Sequence, residues 1–258
     1  MDDTSNQSNP ETVAAVDGDA RHRLADARVL IVGVGGLGSP AARQLAAAGV
    51  GTLILADPDV VDLSNLHRQL LHGTSGIGTP KVLSAARRLA ALYPATRIEP
   101  VPERVTAANV SRLFGMADFV IDGTDGVMSK FLVNDGAVLL QRGFSHAGVL
   151  GFHGQTMTVV PQRSACVRCV FPEPPPADAI PSCQEAGIIG AVAGTIGAVQ
   201  ATEAIRYLLG RTPLLADRML TFDARAWHWR AVPIRRNPQC PACGERPTIT
   251  ALAESRQE

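Results

Sequence analysis

The sequence has no excess of charge of either sign, because it contains 24 lysines and arginines and 24 aspartates and glutamates. Nucleic acids and anionic membrane surfaces bind proteins that carry a strong positive field, and the chain as a whole has none. We therefore predict a protein that does not bind nucleic acid, with a local basic patch as the open alternative.

A long hydrophobic run is also missing. The longest apolar stretch, residues 187–199, is too short and too rich in glycine to span a bilayer, so we predict no membrane span. We expect this stretch to form a buried helix that packs closely against a neighbour and is a candidate element of a subunit interface. Residues 1–26 are polar and acidic and lack the apolar segment of a secretory signal, which leads us to expect a cytoplasmic protein.

Cysteine is scarce, and four of the five cysteines form two closely spaced pairs, Cys166 with Cys169 and Cys240 with Cys243. Two residues between cysteines allow both thiolates to bind one ion from a tight turn, and two such turns complete a tetrahedral Zn²⁺ shell. We predict a closed structural zinc site that ties the C-terminal part of the chain to its middle. Two disulfides or four reduced thiols are the alternatives. The fifth cysteine, Cys183, stands apart.

Strand and helix patterns alternate through the first half of the chain. Strands are predicted at 29–32, 52–56, 97–101 and 118–122, with helices at 39–48, 80–92 and 109–114. This order predicts an α/β fold, a Rossmann-like doubly wound and mainly parallel sheet. Residues 151–160, 219–223 and 227–234 alternate as antiparallel strands do and should continue the sheet. We expect residues 1–20 to be a disordered tail, 21–250 to form a single domain with the zinc clip, and 251–258 to be a second tail.

A glycine turn follows the first predicted strand. Gly33, Gly35 and Gly38 give the pattern G-x-G-x-x-G at the start of a helix, and Asp57 ends the next strand. Such glycines let backbone N–H groups and a helix N-terminus approach a phosphate, while the acid accepts hydrogen bonds from ribose hydroxyls. The context predicts a nucleotide site. A glycine turn that serves packing alone is the alternative.

Two cations and two acids indicate which nucleotide is bound. Arg68 and Lys81 follow the second strand, and a triphosphate needs more positive charge than the pyrophosphate of NAD. For each cation taken alone, a surface charge is the alternative. Asp122 and Asp125 follow the fourth strand, where a carboxylate can bind Mg²⁺ that bridges phosphate oxygens. A helix N-cap is the alternative for either aspartate.

Together these motifs resemble the MoeB/ThiF/HesA family of ubiquitin-activating-enzyme-like adenylyltransferases, which activate sulfur carriers. The resemblance runs from about Arg28 to Gly244. Its motifs are the glycine turn 33–39, Asp57-x-Asp59, Ser64-Asn65-Leu66-x-Arg68-Gln69, Pro80-Lys81, Thr124-Asp125, the two cysteine pairs, and residues 183–187, 200–205 and 235–238.

The resemblance implies a reaction and its partners. The C-terminal glycine carboxylate of a small ubiquitin-like sulfur carrier that ends in Gly-Gly would attack the α-phosphate of ATP and release pyrophosphate. The resulting acyl-adenylate would then become a thiocarboxylate. The chain ends shortly after the last cysteine pair, so we expect a separate sulfur donor, either a rhodanese or a cysteine desulfurase. The family also implies a homodimer whose domain 21–250 is an adenylation domain.

The resemblance assigns roles within the site. Asp57 would hold the ribose, Gly36 would lie near the phosphates, and Asp125 would hold Mg²⁺. Asn65, Arg68 and Lys81 would stabilise the phosphates and the developing charge, and we expect Arg68, Lys81 and Asp125 to be the most rate-sensitive. The residues expected to contact the nucleotide are Gly33, Gly35, Gly36, Gly38, Asp57, Asp59, Ser64, Asn65, Arg68, Gln69, Lys81, Thr124 and Asp125.

Three positions test the resemblance. Cys183 aligns with a cysteine that carries the acyl or sulfur group in some members, so a covalent role and a dispensable thiol are both hypotheses. The N-terminal motif whose arginine reaches the ATP site of the neighbouring subunit is absent from residues 1–27, where Arg21 and Arg23 are the candidate replacements. The asparagine that usually follows Thr-Asp is Gly126 here.

Other functions stay open on sequence grounds. The acceptor could be a peptide or a small carboxylic acid, or the chain could be a non-catalytic pseudoenzyme that binds a ubiquitin-like partner. An NAD-dependent oxidoreductase is the remaining alternative, although no residue pattern indicates a hydride acceptor site. We interpret His146 and His153 as structural or partner-facing. Trp227 and Trp229 are expected in the core, with contact to a partner as the alternative, and His228 between them on the exposed face of a strand.

Overall fold

The eight strands of the described residues lie in one sheet, in the order β3-β2-β1-β4-β5-β6-β7-β8. The structure is a computed structural model that describes residues 18–176 and 187–252. The strands are β1 Arg28–Val32, β2 Thr52–Ala56, β3 Arg97–Val101, β4 Phe119–Asp122, β5 Gly143–Leu150, β6 His153–Val159, β7 Arg218–Asp223 and β8 His228–Pro233. Strands β1 to β5 are parallel and β5 to β8 pair antiparallel, which confirms the predicted fold class.

Helices cover both faces of the parallel half. They are α1 Gly18–Asp26, α2 Gly38–Ala47, α3 Lys81–Leu92, α4 Val110–Gly115, α5 Val127–Leu139, α6 Val167–Val170 and α7 Gly190–Leu208. Alternate residues of β1 face opposite ways, so that Leu30 lies in one buried cluster with Phe114 and Val133, and Ile31 in another with Leu45. The sheet is therefore doubly wound.

Register places the ends of three strands at one edge of the sheet. Val32, the last residue of β1, pairs with Ala56 at the end of β2 and with Asp122 at the end of β4. Ligands of open parallel sheets bind outside the carboxyl ends of the strands. We call this edge, where β1, β2 and β4 end, the carboxyl edge.

Residues 190–199 of the predicted apolar stretch form the first half of α7, whereas residues 187–189 precede the helix. A Cβ on Gly197 would lie 2.5 Å from the Leu37 carbonyl oxygen and 2.7 Å from the Pro40 side chain, so only glycine allows this approach to α2. Among the described helices, none has the length and apolar character needed to cross a bilayer.

Some expectations differ from the structure or lie outside it. Most of the predicted tails, residues 1–17 and 253–258, are outside the described residues, and α1 begins at Gly18, within the range expected to be a tail. The expectation of buried tryptophans is wrong, because Trp227 is 76% exposed and Trp229 37% exposed. They lie at the outer end of the sheet, where Trp229 stacks on Phe222 at 4.0 Å and β8, which pairs with β7, has no second neighbouring strand among the described residues.

Candidate nucleotide and metal sites

The glycine turn begins the site at the carboxyl edge. Gly33 has a φ of +86°, and a Cβ on Gly38 would lie 1.9 Å from the Gly33 carbonyl oxygen, so both positions require glycine. Helix α2 starts at Gly38, where the Ser39 N–H donates to the Gly35 carbonyl oxygen at 3.0 Å and Pro40 has no N–H, so the backbone donors available to a phosphate are the N–H groups of the turn that leads into the helix. These N–H groups and the positive end of the helix dipole can bind a phosphate.

Asp57 fixes this turn. One carboxylate oxygen accepts from the Val34 backbone N–H at 2.7 Å, and the other accepts from the Asp59 N–H at 2.9 Å. Burial raises the pKa of Asp57, whereas Lys81 and the two backbone hydrogen bonds act in the opposite direction. Asp57 therefore joins β2 to the turn, and both of its oxygens already have protein donors.

His72 holds Val34 from the other side, a contact that no motif in the sequence predicts. Its Nε2 lies 3.0 Å from the Val34 carbonyl oxygen and its Nδ1 lies 3.1 Å from Ser84 Oγ. Burial lowers the pKa of His72, which favours the neutral ring. Val34 is thus bound through its N–H by Asp57 and through its carbonyl by His72.

The predicted cations lie beside the turn. Lys81, whose side chain is 8% exposed, pairs with Asp59 at 2.8 Å. Arg68 donates to Asn65 Oδ1 at 2.6 Å. Asn65 and Ser64 belong to one short helical turn, so this bond holds the guanidinium against that turn. Both cations are bound to polar side chains that a phosphate could replace.

The first turn of α7 brings Arg68 and the glycine turn together. A Cβ on Gly36 would lie 3.4 Å from Ala193 Cβ and 3.6 Å from Arg68 Cγ. A Cβ on Gly190 would lie 2.6 Å from the His67 carbonyl oxygen. These small residues leave Gly36 and Arg68 adjacent, as a site for a phosphate chain requires.

Gln69 is a buried polar group in the same place. Its side-chain nitrogen lies 3.5 Å from the position of a Cβ on Gly35, and its Oε1 is buried without a hydrogen-bond partner in the described part of the chain. Buried unpaired oxygens are rare and call for a ligand or a water molecule. This unpartnered atom fits the prediction that Gln69 contacts the nucleotide.

Thr124 and Asp125 lie in the loop between β4 and α5. A Cβ on Gly33 would lie 2.7 Å from the Gly123 carbonyl oxygen, so this loop packs directly on the glycine turn. Asp125 is exposed and makes no side-chain hydrogen bond or ion pair with a described residue. A free carboxylate beside the turn is the type of ligand that Mg²⁺ takes.

Cys183 lies outside the described residues, so its predicted covalent role stays a prediction.

Two arginines are the candidate replacements for the missing N-terminal motif. Arg23 donates to the Leu209 carbonyl oxygen at 3.4 Å, beyond the end of α7. Arg21 belongs to the same helix, α1. Helix α7 is 19 residues long, about 28 Å, and the nucleotide site adjoins its first turn.

The four paired cysteines meet at one point. Their sulfurs all lie within 4.8 Å of one another, with Cys166 to Cys240 at 3.6 Å and Cys169 to Cys243 at 3.4 Å. A disulfide would need about 2.05 Å. Four sulfurs bound to Zn²⁺ at about 2.3 Å lie about 3.8 Å apart, so the set fits a tetrahedral metal.

Backbone donors and hydrogen bonds among the sulfurs support the same conclusion. The Asn237 N–H donates to Cys169 Sγ at 3.4 Å and the Cys243 N–H to Cys240 Sγ at 3.5 Å. Hydrogen bonds with Cys169 and Cys243, together with burial, raise the pKa of Cys166, whereas the hydrogen bonds that Cys169 receives lower its own pKa to about 2. In the described part of the chain, these four cysteines are the side chains of metal-binding type that lie closely enough together to hold one ion.

The fold and these two sites define a class of protein: a nucleotide-binding α/β domain whose parallel sheet carries a glycine turn at its carboxyl edge and a four-cysteine clip. The family model described as ThiF family matches residues 8–242, and the chain belongs to that family.

Two similar proteins extend this result. A sulfur carrier protein adenylyltransferase of Thermus thermophilus is 41% identical over 241 residues, which cover 92% of this chain and 89% of the relative. The SAMP-activating enzyme E1 of Haloferax volcanii is 42% identical over 227 residues, covering 88% and 84%. Among solved structures, E. coli MccB has a TM-score of 0.78 over 93% of this chain and 70% of its own, and at 20% identity it supports the fold alone.

Proposed function

We propose that the protein is an ATP-dependent adenylyltransferase that activates the C-terminal glycine carboxylate of a ubiquitin-like sulfur carrier. The observation that carries this proposal is the meeting of Gly36, Arg68 and the first turn of α7 at the carboxyl edge. The names of the relatives with about 40% identity over most of both chains give the same activity.

The geometry suits attack of one anion on another. A carboxylate must approach the α-phosphate while pyrophosphate leaves, so the site has to neutralise charge and align the two oxygens. Arg68 and Lys81 supply positive charge, and the backbone N–H groups of the glycine turn at the start of α2 supply fixed donors. Asn65 holds the guanidinium of Arg68 at 2.6 Å and so limits its movement during the reaction.

Lys81 must exchange its partner Asp59 for a phosphate when the nucleotide binds. Its ammonium is bound to Asp59 at 2.8 Å, and Asp59 is the more exposed of the two, with 56% of its side chain accessible. We infer that a phosphate oxygen competes with Asp59 for Lys81. Gly33, Gly35 and Gly38 shape the turn, while Ser64, Gln69 and Thr124 line its surroundings as further nucleotide contacts.

Asp57 acts mainly on the protein in this proposal. Both of its oxygens accept from backbone N–H groups, so it holds the turn in the shape that receives the phosphates. A ribose hydroxyl can share one of these oxygens, because each carboxylate oxygen has two lone pairs.

Mg²⁺ and Zn²⁺ have separate places. Asp125 is the proposed Mg²⁺ ligand, and Mg²⁺ when bound would neutralise phosphate charge. The four cysteines would hold Zn²⁺ with no open coordination position, so the zinc is structural.

The family resemblance supports a homodimer. The acyl-adenylate is the species that a sulfur donor would convert to a thiocarboxylate.

ATP–pyrophosphate exchange tests the proposal. Purified protein is assayed with several small carriers that end in Gly-Gly, each beside a version that lacks the last glycine. We expect exchange with at least one intact carrier and none with its shortened form, and we expect the Asp125→Ala variant to lose the activity while it keeps its fold. ATP binding by the wild type without exchange in any carrier would overturn the proposed function.

A further inference from the structure

Lys130 lies at the centre of a buried polar network that the nucleotide contacts do not include. It is in the first turn of α5, and its side chain is 14% exposed. Its ammonium donates to the carbonyl oxygens of Thr124 and Ala147, each at 2.6 Å, and lies 3.4 Å from the Asp122 carboxylate. One side chain thus joins the β4–α5 loop, β5 and the end of β4.

Asp122 anchors this network. It is fully buried, and it accepts from His146 Nδ1 at 2.9 Å and from the Thr124 hydroxyl at 2.6 Å. Burial alone would raise the pKa of Asp122, but Lys130 and the hydrogen bonds from His146 and Thr124 lower it to about 2. The carboxylate is therefore ionised and faces the ammonium of Lys130.

The choice of lysine is specific. The sequence contains two lysines, Lys81 and Lys130, and 22 arginines make up the rest of its basic side chains. Both lysines are largely buried at the carboxyl edge, and each pairs with an aspartate. An ammonium has three donors around a single point, which matches the Thr124 carbonyl, the Ala147 carbonyl and the Asp122 carboxylate.

The network determines where one particular residue sits. Thr124 is held through its carbonyl by Lys130 and through its N–H and hydroxyl by Asp122. The next residue is Asp125, whose exposed side chain has no hydrogen-bond partner among the described residues. The backbone position of Asp125 therefore depends on the bonds made by its neighbour.

We propose that Lys130 is a positioning residue for the adenylation reaction: its ammonium, anchored on Asp122 and so on His146, fixes the Thr124 carbonyl and holds Asp125 in place as the Mg²⁺ ligand. This rests on the proposed function. A salt bridge that only stabilises the fold is the alternative, and it predicts no special dependence on Mg²⁺.

Calorimetric titration of the full chain with ATP, in Mg²⁺ and in EDTA, distinguishes the positioning role of Lys130 from a salt bridge that only stabilises the fold. Removing a group that orients a metal ligand typically weakens metal binding by about 10-fold or more. We expect Lys130→Met to raise the Kd of ATP about 10-fold in Mg²⁺ and less than about twofold in EDTA. Arg206→Met removes a half-buried cation near the far end of α7, away from the nucleotide site, and should leave both values unchanged.

A double variant guards against a simple loss of stability. Asp122→Asn with Lys130→Met removes the buried charge that Lys130→Met leaves behind, so the melting temperature should recover. The Thr124 carbonyl still lacks its donor, so the loss of affinity in Mg²⁺ should persist. Affinity in Mg²⁺ that recovers together with stability, or an equal loss with and without Mg²⁺, would overturn the positioning role.

These results are distinguishable from failure of the proposed function. If wild-type protein binds ATP but exchanges pyrophosphate with no carrier, the function fails while the Mg²⁺ comparison still applies. If wild-type protein exchanges pyrophosphate and Lys130→Met shows wild-type dependence on Mg²⁺, the positioning role alone fails. Wild-type ATP binding that is insensitive to Mg²⁺ would also overturn it.

Discussion

The carboxylate of Asp57 binds the backbone N–H of Val34 at 2.7 Å, across 23 residues of sequence. The glycine turn is consequently held by an acid from the neighbouring strand and not by its own residues alone. His72 completes the arrangement by binding the carbonyl of the same residue. The shape of the phosphate site is therefore fixed by contacts within the protein, which is what preorganised charge stabilisation requires.

Replacing Asp57 with Asn should weaken the fold and the nucleotide site together. A carboxamide offers one oxygen to the two backbone N–H groups that now share a carboxylate, so one buried donor loses its partner. We expect about 1–3 kcal/mol less unfolding free energy and weaker ATP binding, measured by urea unfolding and calorimetry. Asp62→Asn is the matched control, since Asp62 also accepts a backbone N–H but is exposed. Equal losses in the two variants would contradict this explanation.

The sequence predicted the parallel half of the fold because continuous apolar runs such as residues 29–32 and 52–56 indicate buried strands and the helical patterns between them are strong, but it did not predict α5. Helix α5 carries Asn134, Asp135 and Gly136 in its middle, which are poor helix formers, and all three are buried. Tertiary contacts explain them: Asn134 accepts the Val167 N–H, Asp135 pairs with Arg168, and a Cβ on Gly136 would lie 2.7 Å from Val110. Local propensity therefore gave no clear helix signal.

The site shows the same division. The glycine turn, Arg68 and Lys81 follow from motifs, but the meeting of Asp122, Lys130 and His146 depends on the pairing of β4 with β5, which sequence spacing does not encode. Alternation along β8 could separate two faces, yet it could not show that neither face is covered by a helix. For this reason the prediction that the two tryptophans lie in the core is wrong.

Metal content should follow the four paired cysteines. We expect one zinc ion per chain by plasma mass spectrometry, and loss of that ion together with a lower melting temperature in Cys240→Ser, because zinc binding contributes directly to folding. Cys183→Ser is the matched control and should keep the zinc. Full zinc content in Cys240→Ser would contradict the assignment.

The ion pair between Asp135 and Arg168 should couple the cysteine clip to α5. It is bidentate, with both distances 2.7 Å, and the two side chains are 10% and 12% exposed. Removing one partner leaves a buried charge, so Arg168→Met should lose about 3 kcal/mol of unfolding free energy. Combining it with Asp135→Asn should restore part of this loss, as a double-mutant cycle by urea unfolding would show. Additive losses would contradict the coupling.

Acid should weaken the contribution of Asp122. Its pKa in the folded protein is about 2, below the ordinary value of 3.8, so its stabilisation is full above pH 3.8 and is lost as the pH falls toward 2. Asp122→Asn cannot show this loss, because its carboxamide does not titrate. The difference in unfolding free energy between wild type and variant should therefore shrink by about 1 kcal/mol from pH 5 to pH 3. A constant or growing difference in urea titrations would contradict the low pKa.

Chemical labelling should distinguish the two lysines. Acetic anhydride modifies accessible amines, and mass spectrometry of peptides can follow Lys81 and Lys130 separately because they are the chain's two lysines. Lys81 shares its ammonium with the exposed Asp59, so a phosphate that takes its place should shield it. We expect Mg²⁺ with ATP to slow the labelling of Lys81 severalfold, on the order of the affinity gained from a charged hydrogen bond. Lys130 is bound by three protein acceptors and should label slowly with or without nucleotide. Protection of Lys130 but not of Lys81 would reverse the two assignments, because it would place the phosphates on the α5 side of the glycine turn.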